Sequence, residues 1–209
     1  CALATNKILL GTSITSVFVR SAPTIAMGAA CVDHFSNGRF ILGLGSSHKV
    51  QVEPEHGLEF SQPVQRLREC VDIVRTLLRD GDVSYNGTVY NIESFDFWFK
   101  PVRSEIPVYI AGIFPKMLEI CGEIGQGALL TLCSVEHAET AVENVRVGAI
   151  KAGRDPDVPD VATLLPCAIS SIKENAAELI RPTIVGYIGR FPRYRKLMAE
   201  FGFPEEVER

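Results

Sequence analysis

Ser46, Ser47 and His48 stand at the end of an apolar, glycine-rich run over residues 40–45 and are soon followed by Gln51, Glu53, Glu55 and His56. Hydroxyls, imidazoles and carboxylates gathered so closely allow more than one chemistry. A neutral imidazole such as His48 can donate a hydrogen bond or shuttle a proton beside a reacting group. Imidazole and carboxylate together also suit Zn or Fe, but the spacing of His48, Glu53, Glu55 and His56 matches no helix or loop metal motif, and no metal is expected. The plain alternative is a solvated surface loop. Similar small or polar endings recur after other apolar runs, at Thr12-Ser13, Ala111-Gly112, Thr131 and Ser170-Ser171.

The elements that must position these residues alternate. Residues 7–14 and 40–45 read as strands, with a helix over 22–36 between them. About 15 residues from Ser46 on read as a long loop, a length unusual unless functional. Pro63, apolar residues at 64, 67, 71, 74 and 78, and Gly81 predict an amphipathic helix over 63–81. Residues 83–92 alternate around Asn86-Gly87, a two-residue hairpin signal. Strands then follow at 108–112, 128–132 and 161–170, with helices at 115–125, 135–152 and 173–190. Five βα units with continuous apolar strands predict a parallel sheet covered by helices, of class α/β. A dinucleotide-binding open sheet is disfavoured: Gly43 and Gly45 are followed by His48, which breaks the G-x-G-x-x-G pattern, and the next helix starts too late. In a (β/α)8 barrel the strand C-termini share one rim, the active-site face, and eight units take about 250 residues. Five units therefore predict an incomplete barrel with a β-hairpin insertion.

Composition narrows the function. With 209 residues and 46% apolar content the chain can bury a core, and a net charge of −4 argues against nucleic acid as partner. A small-molecule substrate fits better. Six scattered cysteines without a CxxC pair suit a reduced, cytoplasmic protein. No apolar run approaches the roughly 20 residues a membrane helix needs, so a soluble protein is expected. The chain opens at Cys1, a beginning that suggests the interior of a longer gene product.

The run S-x-G-R-F-x-L-G-L-G-S, Ser36 to Ser46, together with "ILLGTSI", "QPVQRLRE", "VYIAGIFPKMLEICGEIGQGALLT" and "AGRDP", resembles the bacterial luciferase-like monooxygenase superfamily. The nearest branch is the coenzyme F420-dependent oxidoreductases, methylenetetrahydromethanopterin reductase relatives included. The resemblance implies one luciferase-like barrel domain over 1–209, holding strands three to seven and lacking the first two strands and the last. It implies a flavin or deazaflavin, F420 or alternatively FMN, lying across the barrel mouth and exchanging hydride with a small organic substrate. An FMN-dependent monooxygenase and a non-catalytic, vestigial flavin binder are the alternatives. A homodimer is expected.

Residue by residue, the resemblance places a non-prolyl cis peptide at Ser13–Ile14, with Thr12, Ser13 and Ile14 supporting the ring from behind. Gly43 and Gly45 would let the ring approach bare backbone, and Ser46, His48 and Gln51 fall where relatives contact cofactor or substrate. Ala111, Gly112, Ile113 and Phe114 match a segment used against the cofactor tail, with Pro115 opening a helix whose free N–H groups attract anions. Many relatives carry Gly-Gly where Ile113-Phe114 stand. Thr131 matches a ligand-contacting position on the sixth strand. Relatives acting on sugar phosphates carry a lysine just after that strand, where this chain has Leu132, Cys133 and Ser134, so glucose 6-phosphate is disfavoured. Arg39 is expected to anchor a carboxylate at the opposite rim.

Overall fold

The computed structural model describes residues 1–208. The chain divides into two compact units. The first comprises Cys1–Leu129 and Thr140–Ala162, the second Leu130–Glu139 and the chain from Thr163 on.

The first unit is organised by parallel strands β1 (Leu10–Gly11), β2 (Thr15–Ser16), β3 (Phe40–Gly45) and β6 (Val108–Ala111), joined by the opening residues of β7 (Gly127–Thr131) and β8 (Asp160–Leu164). The order is β1-β3-β6-β7-β8, with β2 also on β3. Period-two alternation splits each strand. Phe40, Leu42, Leu44, Val108 and Ile110 are buried, whereas Ile41, Tyr109, Ala111 and Leu129 on the other face are only half-buried.

Helix α1 (Ala22–Ser36) starts where the Ser21 hydroxyl accepts from the Thr24 N–H at 3.3 Å and stops where Asn37 turns left-handed at φ 55°. Helix α3 (Pro63–Asp80) runs from Pro63 to a left-handed Gly81 at φ 87°. Leu67, Cys70, Val71, Ile73, Val74 and Leu77 on α3 are fully buried, each large apolar side chain stabilising the fold by about 1.5–3 kcal/mol. The hairpin strands β4 (Asp82–Asn86) and β5 (Asn91–Asp96) pair antiparallel. Helices α4 (Pro115–Ile124) and α5 (Val135–Lys151) touch within this unit at Gly122 and Gly148. A Cβ on either would lie 1.8 Å from a backbone oxygen of the other helix. In the second unit helices α6 (Lys173–Arg190) and α7 (Pro192–Glu200) bury Phe191, Tyr194 and Leu197.

Several local expectations need correcting. Residues 7–14 form no continuous strand: Ile8 and Leu9 are exposed, and pairing is confined to two short stretches. The stretch after Ser46 is not a bare loop but contains helix α2 (Lys49–His56), despite Pro54 within it. It forms because Val52 is fully buried and because tertiary burial outweighs a proline's cost. The hairpin does not turn at Asn86-Gly87, since Asn86 still pairs with Asn91 and the loop is residues 87–90. The last strand ends at Leu164 rather than 170, where Pro166 denies the ladder a donor. Among the described residues Arg39 binds no carboxylate. Its guanidinium donates to the carbonyls of Ala2, Thr5, Ile8 and Ser36, tying the N-terminal segment to the end of α1. The carboxylate at that end, Asp33, pairs instead with Arg103.

Candidate active site

Parallel pairing puts the C-terminal ends of β2, β3 and β6 on one rim. Leu44 is level with Ile110 and with Thr15, so Gly45 lies beside Ala111 and Ser16. Between β1 and β2 the chain bulges. The four steps from Gly11 to Thr15 oppose only three on β3, from Ile41 to Leu44, which leaves one extra residue. Thr12 closes the gap with its side chain: Oγ1 donates to the Gly43 carbonyl at 2.9 Å and accepts from the Gly43 N–H at 3.0 Å. Within the bulge the Ser13–Ile14 peptide is cis.

Protein atoms border the space that each glycine leaves. A Cβ on Gly43 would lie 1.8 Å from the Thr12 carbonyl oxygen, so the bulge itself occupies that space. On Gly45 it would meet Ile14 Cδ1 at 2.9 Å and the Ala111 Cβ at 3.2 Å. Ile14, Gly45 and Ala111 therefore form one apolar floor, with Ile14 and Ala111 half-exposed above it. Gly112 faces the other way, where a Cβ would meet Cys121 Sγ at 3.0 Å and Met117 Cγ at 3.2 Å. Its absent side chain admits α4.

Past the floor, Ser46 is buried, Ser47 is left-handed at φ 57°, and His48 is the extended N-cap residue of α2. Gln51 lies one turn into that helix, half-buried, its N–H on the His48 carbonyl at 2.9 Å. Glu53 accepts from the Phe60 N–H, and Phe60 stacks on Phe18 with ring centroids 4.7 Å apart. The polar cluster after Ser46 is thus split: His48 and Gln51 begin the helix, Glu53 braces the following turn, and His56 is exposed. Among the described residues no three His, Cys, Asp or Glu side chains could hold a metal ion. Phe114 caps α4, its carbonyl accepting from Met117 and Leu118, and Ile113 precedes it half-buried. Thr131 belongs to the second unit, where it hydrogen-bonds Tyr194. A cavity of about 340 Å³ lined by Val145, Arg146, Pro156, Asp157 and Asp160 lies at the opposite, N-terminal end of β8.

Four further residues escaped sequence reasoning. Glu69, 2% exposed, accepts from Gln65 and from the backbone N–H groups of Thr88, Val89 and Tyr90. Burial works against its charge, but these hydrogen bonds outweigh burial and hold its pKa below the ordinary carboxylate value. The hairpin loop so held presents Tyr90, whose hydroxyl donates to the Val17 carbonyl at 3.0 Å. Arg66 lies over the Phe18 and Tyr90 rings at 4.7 and 5.4 Å. Tyr109, on the half-buried sheet face, donates to Asp160 at 3.0 Å, and burial followed by that carboxylate pushes its pKa up to about 12. A signal existed for two of them: Arg66 and Glu69 share a helical stripe with buried Ile73, where charged residues need partners.

Parallel strands and covering helices, with a floor of small side chains at the strand C-termini, define an incomplete (β/α)8 barrel of class α/β. The sequence profile of the luciferase-like monooxygenases matches residues 1–209, and the chain belongs to that family. It is 30% identical over 191 residues to a 5,10-methylenetetrahydromethanopterin reductase of Archaeoglobus fulgidus, covering 91% of this chain and 57% of that relative. The solved coenzyme F420-dependent tetrahydromethanopterin reductase of Methanopyrus kandleri superposes with a TM-score of 0.82 at 29% identity, over 90% of this chain and 58% of that one. A solved F420-dependent secondary alcohol dehydrogenase in complex with an F420-acetone adduct gives a TM-score of 0.78 at 25% identity, over 86% and 56%. The chain thus spans little more than half the length of these relatives. No helix among the described residues is long and apolar enough to cross a membrane.

Proposed function

We propose that this chain forms the ring-binding part of an oxidoreductase that takes coenzyme F420 and exchanges hydride with a small organic substrate. The observation that carries the reading is the floor of Ile14, Gly45 and Ala111, main chain and small apolar groups at the rim where a barrel places its site. It fits a flat ring, which gains dispersion contact from such a surface and needs no charged partner beneath it. The F420-dependent names among the relatives favour the deazaflavin over FMN.

A bound deazaflavin supplies hydride exchange without activating oxygen, whereas FMN also supports monooxygenation. The chain's own residues then have separable tasks. Ile14 and Ala111 exclude water from one side of the ring. Thr12, Ser13 and Gly43 hold the bulge that presents Ile14. Ser46, His48 and Gln51 line the approach from β3, His48 being the residue proposed to hold or pass a proton at the substrate. Ile113 and Phe114 flank the other side, and Gly112 sets their height by admitting α4. Thr131 enters the proposal through family similarity alone. The 209 residues are taken as strands three to seven of one barrel in a cytoplasmic homodimer.

Titrating the purified protein with F420 and separately with FMN, read by absorbance and fluorescence, tests the reading. Tight binding of F420 supports it, preference for FMN favours the monooxygenase alternative, and binding of neither removes both. A chain that binds F420 but reduces no substrate would be the vestigial binder.

A further inference from the structure

Six arginines among the described residues are half-buried: Arg39, Arg66, Arg68, Arg75, Arg103 and Arg154. Five have acceptors matched to their charge. Arg68 pairs with Glu123 and Arg103 with Asp33, while Arg39, Arg75 and Arg154 donate to main-chain carbonyls. Arg66 has neither. Its Nε is buried without a hydrogen-bond partner, and its neighbours are two aromatic faces and the Tyr90 hydroxyl. Glu69, about one turn along α3, is already saturated by Gln65 and three backbone N–H groups and leaves Arg66 uncompensated.

Position adds to this. Val17 leaves β2 with its N–H on the Gly45 carbonyl at 3.1 Å, so Phe18 stands at the same rim as the Ile14, Gly45 and Ala111 floor. Arg66 lies over Phe18, in the opening turns of a helix whose N-terminus is at that rim. Ring faces attract a guanidinium but do not satisfy its N–H groups, of which one reaches the Tyr90 hydroxyl and Nε has no partner. A cation set over two aromatic rings, with its Nε donor to spare and no carboxylate, is arranged for an oxyanion.

We propose that Arg66 is the oxyanion-binding residue of this rim and takes a phosphate or carboxylate group of the molecule that occupies it. Where that group belongs to the cofactor, the inference rests on the reading under Proposed function. Where it belongs to the substrate, it does not.

The test has two arms, each run on the wild-type chain, Arg66→Met and Arg66→Lys, with circular dichroism confirming the fold. In the first, inorganic phosphate is titrated at constant ionic strength and its dissociation constant read from the rise in Tm. At least tenfold weaker binding in Arg66→Met, with Arg66→Lys between, supports the site, because lysine keeps the charge and loses the planar fork. Equal phosphate response in all three chains overturns it. The second arm assigns the source by comparing FMN with riboflavin, and F420 with its tail-less 8-hydroxy-5-deazariboflavin. Loss in Arg66→Met confined to the tail-bearing forms assigns the oxyanion to the cofactor; equal affinity across each pair, with the phosphate arm positive, assigns it to the substrate. Failure of the wild-type chain to bind any ring defeats the proposed function, and the phosphate arm still decides Arg66.

Discussion

Replacing Gly43 by alanine adds one methyl group at the most crowded point of the rim. The new Cβ would lie 1.8 Å from the Thr12 carbonyl oxygen, 2.9 Å from the Thr12 carbonyl carbon and 3.1 Å from Leu129 Cδ1. Ordinary van der Waals contact begins at about 3.4 Å. The nearest obstacle is main chain and cannot rotate away as a side chain could, so the bulge must move. Overpacking costs about 1–3 kcal/mol, and displacing Thr12 breaks its two hydrogen bonds to Gly43, at about 1 kcal/mol each. The expected loss is about 3–5 kcal/mol, a fall in Tm of roughly 6–20 °C for a chain of this size. Gly28→Ala is the control. Gly28 lies in α1 with nothing within 4 Å of its would-be Cβ, and alanine there should stabilise by about 0.5–1 kcal/mol. Thermal and urea unfolding by circular dichroism measure both variants. A Gly43→Ala chain within about 1 kcal/mol of wild type would refute the claim that the bulge dictates glycine at this position.

Further outcomes follow from buried polar groups. Glu69→Ala should cost about 3 kcal/mol, since it strips the acceptor from three backbone N–H groups and Gln65, and should speed hydrogen exchange at Thr88, Val89 and Tyr90. Because the folded pKa of Glu69 lies below its usual 4.5, its contribution is full above that value and fades as pH falls through the lowered one. The stability gap between wild type and Glu69→Gln should therefore be widest above about pH 5 and close at lower pH, as urea unfolding across pH would show. Burial pushes the Cys70 and Cys121 thiols up to about 12, while Cys1, Cys31 and Cys167 are exposed. Iodoacetamide at pH 7.5 should label the exposed three and spare the buried two in the native protein, as read by mass spectrometry. Rapid labelling of Cys121 would contradict its packing against the Ile110 carbonyl.

The amino-acid order was sufficient for whatever depends on near neighbours. The apolar period from Leu67 to Leu78, Pro63 and Gly81 define α3 almost to the residue, because a helix closes its hydrogen bonds within four residues. The run Phe40 to Gly45 is legible as a buried strand from its unbroken apolar composition, though its hydrogen bonds go to distant strands, and the small residues after it mark the rim. Tertiary structure alone decided the rest. Residues 49–56 read as part of a long loop, yet with Val52 buried they form a helix. Gly43 is glycine on account of Thr12, 31 positions earlier, and Arg39 answers to carbonyls more than 30 positions away. The hairpin loop is shaped by Glu69, about 20 positions before it. Partners this distant leave no period in the sequence: the energy of a buried charge or a missing methyl depends on which atoms arrive beside it, and only the folded chain brings them there.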